Sequence, residues 1–250
     1  HGVMNTDNMS VLGITLDYGP YGFLDQYDSQ FICNHSDHHG RYAFDQQPSI
    51  GLWNLSCLAQ AILPLIDEDN PEQGAEMLKS VLNGYQGTYQ AHYMALMRAK
   101  LGLQQEHEMD RDLLQQLLGL MQNNQTDYTI LWRSLGTFRT DVPVENNSSR
   151  NHVTNRPEFD SWATQYRARL QQEGLEDLLR QQQMDRTNPK YILRNYLAQN
   201  AIDKAEQKDF SEVDRLLKLL QNPFDEQPDM EAYAAYPPDW AQGIEVSCSS

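Results

Sequence analysis

From residue 50 onward, apolar residues return every three or four positions, the spacing that gathers them on one face of a helix. Leu52, Leu55, Leu58, Ala59 and Ile62 form the first series, and Pro64 is expected to end or kink that helix. Asp69-Asn70-Pro71-Glu72 reads as a helix start with Pro in the first turn. The helix it opens can run to Leu101, with Met77, Val81, Tyr85, Tyr89, Tyr93 and Met97 on related faces and a weak point at Gly84 and Gly87. A helix over 110–121 follows with Leu113, Leu114, Leu117 and Leu118, and Thr126-Asp127 caps a segment holding Ile130, Leu131 and Leu135. Residues 139–156 are polar and read as a mobile loop. Helical spacing resumes over 159–183, in a helix opened by Asn188-Pro189, and over 210–220.

Residues 1–50 follow another pattern, rich in Gly, Asp, Asn, His and Tyr. Val11-Leu12-Gly13-Ile14-Thr15-Leu16 is a short apolar run bounded by Asn8 and by Asp17-Tyr18-Gly19-Pro20. It predicts a strand, or one arm of a β-hairpin ending in a turn. The reading is therefore a mainly α chain with one short hairpin, divided into a loop-rich segment over 1–50 and a helical remainder over 51–250.

The chain has 250 residues and a net charge of −16. An acidic balance argues against nucleic acid and anionic membranes as partners, since both require a basic face. The apolar run over 58–66 is interrupted by Gln60 and Pro64 and falls short of the ~20 apolar residues of a membrane span. Three cysteines, Cys33, Cys57 and Cys248, are too few for a disulfide scaffold. The opening His1-Gly2-Val3-Met4 is neither an initiator Met nor a leader, so the chain reads as a portion of a longer protein, with cytoplasm the default compartment.

The densest chemical signal is Asn5-Thr6-Asp7-Asn8 followed nine residues after Asn8 by Asp17. An Asn carbonyl and an Asp carboxylate suit Mg²⁺, a hard cation that takes few protein oxygens alongside phosphates and water. Protein kinases hold Mg²⁺ with a catalytic-loop Asn and the Asp of Asp-Phe-Gly, which Asp17-Tyr18-Gly19 approaches with Tyr for Phe. Asp7 stands where it can orient or deprotonate a hydroxyl nucleophile. On spacing alone, Asp7, Asn8 and Asp17 can equally be turn residues flanking a strand.

His1-Gly2-Val3-Met4-Asn5-Thr6-Asp7-Asn8-Met9-Ser10 and Asp17-Tyr18-Gly19-Pro20-Tyr21-Gly22-Phe23-Leu24-Asp25 resemble the selenoprotein O family. Asn34-His35-Ser36-Asp37, Gly40-Arg41-Tyr42, the run from Asn188 to Tyr196 and the Cys248-Ser249-Ser250 end extend the resemblance along the chain. It implies the C-terminal lobe of a protein-kinase-like fold with a helical extension, the hairpin carrying the catalytic loop. The implied activity is transfer of AMP from ATP to Ser, Thr or Tyr hydroxyls of proteins, with Mg²⁺ or Mn²⁺. By the same resemblance Asp7 is the catalytic base, Asn8 and Asp17 are metal ligands, and Asp17 also belongs to the ATP site. Nothing in the chain resembles the family's Gly-rich phosphate cradle followed by Lys, which places the N-lobe outside it. The plain Cys at the tail points to a bacterial source. Ordinary phosphoryl transfer and a non-catalytic acidic helical interaction module are the alternatives.

The resemblance also implies a redox role for Cys248, with Cys33 its candidate disulfide partner. Cys33, His35, His38 and His39 can be read as a zinc cluster, but a packed or solvated loop is the better account. Trp53, Trp132 and Trp162 are expected in the core, Cys57 as a small buried hydrophobe, and Lys190 and Arg194 as ion-paired residues four apart on one helix face.

Overall fold

The structure, a computed structural model, describes residues 2–15 and 22–244. Asp17 and Cys248 lie outside the described residues, so the second half of the expected hairpin and one end of the Cys33–Cys248 pair do too. Among the described residues there are nine α-helices joined by 3₁₀ turns, and the single β contact is an isolated bridge between Gln26 and Asp127. The mainly helical reading holds. The strand expected from Val11 does not form over 11–15, because Ser10 closes a turn there: its carbonyl accepts the Gly13 N–H at 3.0 Å and its hydroxyl accepts the Leu12 N–H at 3.1 Å. Gly13 takes a φ of +68°, and Val11 and Leu12 are each 78% exposed.

The chain forms two compact units. The first comprises described residues 2–15 and 29–93. It holds a 3₁₀ turn over Thr6–Asn8, α1 (Gln47–Ile66), α2 (Pro71–Asn83) and the first part of α3 (Tyr85–Lys100). Asn70 caps α2 by accepting the Gln73 N–H at 3.2 Å, with Pro71 in the first turn, as its sequence predicts. The long helix expected over 71–101 is broken at Gly84 into α2 and α3. Pro64 does not end α1, which continues two residues past it to Ile66. Tyr85 donates its hydroxyl to the Pro48 carbonyl at 2.8 Å, and Tyr85, Tyr89 and Tyr93 stack in series along α3. Gly51 is needed at this crossing, as a Cβ there would stand 2.9 Å from the Tyr85 hydroxyl.

α1 departs from expectation in its surroundings. Its series of Leu52, Leu55 and Leu58 was to face a core, yet only 17% of its most apolar stretch is buried, and Trp53 is 45% exposed. It is 20 residues long and contains an 18-residue stretch of mean hydropathy 1.5, which meets the length and composition of a membrane span and corrects the reading that Gln60 and Pro64 exclude one. Core helices of soluble proteins pass the same measure.

The second unit comprises 22–28 and 94–244. Its helices are α4 (Asp110–Asn123), α5 (Tyr128–Ser134), α6 (Arg156–Glu173), α7 (Asp177–Thr187), α8 (Asn195–Glu206) and α9 (Ser211–Leu220). Leu113, Leu117 and Leu120 of α4 and Phe159, Trp162 and Tyr166 of α6 bury their expected faces. The polar ends of the aromatic residues are satisfied within this core: Trp162 donates to the Leu113 carbonyl at 2.9 Å and Tyr166 to the Leu101 carbonyl at 2.8 Å. A second cluster joins Tyr191, Tyr196 and Leu197 to Leu216 and Leu219. Gly102, at φ +71°, lets the chain turn where a Cβ would meet Arg180 Cγ at 2.6 Å.

Three expectations for this unit are corrected. The helix read over 159–183 is broken into α6 and α7 at Gly174, whose φ of +68° ends α6. The polar stretch over 139–156 is ordered into 3₁₀ turns over Val144–Asn146 and Ser148–His152, with Val144 and Val153 buried. Asn147 supplies the order that apolar residues do not, its buried carbonyl accepting the Arg139 N–H at 2.6 Å. The segment from Asn188 to Arg194 is not helical, and α8 begins only at Asn195. The N–H groups of Lys190 and Tyr191 both donate to the Pro223 carbonyl, at 2.8 and 3.1 Å, in place of helical bonds. Lys190 and Arg194 are ion-paired as expected, but from an extended segment.

Asn188 also holds Lys100, whose ammonium donates to its carbonyl oxygen at 2.9 Å and lies over the Trp132 ring at 5.4 Å. Burial pushes the Lys100 ammonium down to about 8. Below that value the group is charged in both folded and unfolded chains. Between it and the ordinary value of 10.5 the unfolded chain binds the extra proton, so stability rises with pH across that window. Melting temperatures of wild type and Lys100→Met compared from pH 8 to 10.5 are expected to show that rising contribution in the wild type alone. Parallel curves would contradict it.

Candidate active site

The Thr6–Asn8 turn carries a carboxylate and an amide at successive positions. Asp7 and Asn8 are both exposed. The Asn8 amide donates to the Val3 carbonyl at 3.0 Å, which orients its side chain and leaves its Oδ1 unused by that bond. The turn closes through the Asn8 N–H on the Asn5 carbonyl at 3.0 Å.

Residues outside the turn hold it from two directions. Asp37 accepts the N–H groups of Arg41 and Tyr42 at 2.9 and 2.8 Å, folding the 34–42 stretch into a compact series of turns. That places the Tyr42 hydroxyl to donate to Asn5 Oδ1. The Arg41 guanidinium lies 4.7 Å over the Trp53 ring, which explains how a half-exposed Trp is used on α1. From α1, the Asn54 amide donates to the Met4 carbonyl at 2.8 Å. Tyr42 and Asn54 were not singled out by sequence. Asn54 carried a readable signal, as an amide within an otherwise apolar helix face.

Asp7 and Asn8 are neighbours in sequence on one exposed turn, and Asp17 lies outside the described residues. A carboxylate and an amide carbonyl are oxygen donors of the kind Mg²⁺ accepts, so the two described residues fit such an ion in chemical type. Among the described residues no three of His, Cys, Asp and Glu gather to hold a metal, so Cys33, His35, His38 and His39 do not form a zinc site. Cys33 and Cys57 are both half-buried.

In the second unit, the segment that follows the Asp17 motif is anchored at residues 22–28. Tyr128 N–H donates to the Asp25 carbonyl at 2.8 Å, Tyr27 N–H to the Thr126 carbonyl at 2.9 Å, and the two tyrosine rings stack at 5.6 Å. Arg194 closes the arrangement. Its guanidinium grips Asp127 through two bonds of 2.8 and 3.1 Å and also pairs with Asp25. The side chains of Arg194 and Asp127 are each 2% exposed, and Asp127 additionally caps α5 by accepting the Ile130 N–H at 2.9 Å. Burial lifts the Asp25 carboxyl above its ordinary range, with Arg194 opposing the shift.

A sequence profile described as "Protein adenylyltransferase SelO" matches residues 1–221. Protein nucleotidyltransferase YdiU of Thioalkalivibrio sulfidiphilus is 59% identical over 250 residues, covering all of this chain and 50% of its own length. The proteins of the same name from Myxococcus xanthus and Cupriavidus metallidurans are 53% and 50% identical, covering all of this chain and 50% and 47% of their own lengths. The chain belongs to the SelO protein adenylyltransferase family. It spans about half the length of these curated relatives, all of them bacterial.

Proposed function

We propose that residues 1–250 form the catalytic and metal-binding part of a Mg²⁺- or Mn²⁺-dependent bacterial enzyme that transfers AMP from ATP to Ser, Thr or Tyr hydroxyls of cytoplasmic proteins. The observation that carries this reading is the exposed Asp7-Asn8 pair on a turn held by Tyr42 and, through Met4, by Asn54. Asp7 accepts the proton of the acceptor hydroxyl as its oxygen bonds to the α-phosphorus and pyrophosphate leaves. Asn8 Oδ1 and Asp17 would hold the divalent ion, which neutralises phosphate charge when bound. Asp7 needs no special proton affinity for this role, since positioning and charge neutralisation supply most of the rate. The Gly-rich cradle and its Lys are not matched in this chain, so residues 1–250 alone are expected to show no turnover.

The test uses the full-length protein, Mg²⁺ and a protein acceptor, with α-labelled and γ-labelled ATP in parallel. Label is expected on protein from the α position only. Label from the γ position only would make the enzyme an ordinary kinase, and none from either would favour a non-catalytic acidic helical module.

A further inference from the structure

Asn54 is 6% exposed inside the most apolar helix of the chain. A buried amide costs about 1–3 kcal/mol for each polar group left unpaired. Its nitrogen is paired, donating to the Met4 carbonyl at 2.8 Å and touching the Met9 sulfur. Those two residues stand on either side of the Thr6–Asn8 turn. Its Oδ1 has no partner among the described residues, and the residue lines a cavity of about 360 Å³ together with Thr6, Met9, Val11, Leu55 and Leu58. Leucine has the same branched heavy-atom skeleton, suits an apolar helix, leaves no orphaned oxygen, and its larger methyl groups have the adjoining cavity to fill. Packing alone would therefore favour Leu at this position, and what Leu lacks is the N–H that reaches the turn.

We propose that Asn54 is a positioning residue: its amide links α1 to both ends of the Thr6–Asn8 turn and so sets where Asp7 and Asn8 present their oxygens. The proposal rests on the function proposed above. Its magnitude follows from the sensitivity of transfer reactions to alignment, where a displacement of ~1 Å costs about 100-fold in rate.

The experiment compares full-length wild type with Asn54→Leu and Asn54→Asp. It reads melting temperature, Mn²⁺ dissociation constant, and kcat and KM for transfer from α-labelled ATP. Asn54→Leu is expected to melt at or above the wild-type temperature while kcat falls about 10- to 100-fold and Mn²⁺ binding weakens about 10-fold. Asn54→Asp keeps the side-chain shape but cannot donate once ionised. Burial at this position raises a carboxyl's affinity for its proton, so activity relative to wild type is expected to recover as the pH is lowered from 8 toward 5 and the carboxyl regains its O–H. A purely structural role would lower the melting temperature and leave the pH profile unmoved. Wild-type kcat and Mn²⁺ affinity in both variants would overturn the proposal. If Asn54→Leu fails to fold, Asn54→Asp decides: a wild-type rate at every pH overturns it, and a loss that acid restores supports it. A wild type that neither binds Mn²⁺ nor transfers AMP would overturn the functional reading, and the positioning role with it.

Discussion

Replacing Arg194 with Met is expected to destabilise the full-length protein by about 3–5 kcal/mol, the usual consequence of removing one partner from a buried ion pair. The loss is large because of what remains. Asp127 is 2% exposed and would be left buried without its partner, while Asp25, one-third exposed, can recover water. The same contrast orders the acidic partners. Asp127→Ala is expected to cost nearly as much as Arg194→Met, since it also removes the α5 cap, and Asp25→Ala clearly less. Urea denaturation of the three variants checks the order. Equal and small losses, below about 1 kcal/mol, would show that the arrangement behaves like a surface pair.

The second large effect is on rate. Full-length Asp7→Asn is expected to lose about 10²–10⁴-fold in kcat, the range that a general base contributes. Its stability should stay within about 0.5 kcal/mol of wild type, because Asp7 is exposed on its turn. Single-turnover transfer from α-labelled ATP, with melting temperature measured alongside, separates these outcomes. A rate within threefold of wild type would remove Asp7 from proton transfer and leave only the metal ligands to explain catalysis.

The helices were legible wherever one face meets a core. Leu113, Leu117 and Leu120 announce α4, and Asn70 and Asp127 announce their caps, because helical spacing and capping act locally. Misreadings occurred where a distant group decides. Lys190 and Tyr191 have helical neighbours in sequence, but Pro223 takes their N–H groups. The 139–156 stretch has too few apolar residues to predict order, yet one buried amide, Asn147, supplies it. The strand expected at Val11 gives way to a turn directed by Ser10, which is visible in sequence but competes with a β-branched run. Of the site, the Asp7-Asn8 turn was readable from Asn-Thr-Asp-Asn, and family resemblance gave it roles. Its supports were not, because Tyr42 and Asn54 reach it across 37 and 50 residues.

The grip of Arg194 on Asp25 spans 169 residues of chain. Closing so long a loop adds little to the equilibrium cost, since that cost grows only with the logarithm of length. Its effect falls on timing. At ribosomal rates of 5–20 residues per second, Asp25 leaves the ribosome about 10–30 s before Arg194 exists to bind it. During that interval the segment over 22–28 has only its contacts with Thr126 and Tyr128 to hold it. The buried charge pair is thus the last of these contacts to form, so the 22–28 segment reaches its final stability only after Arg194 has been made.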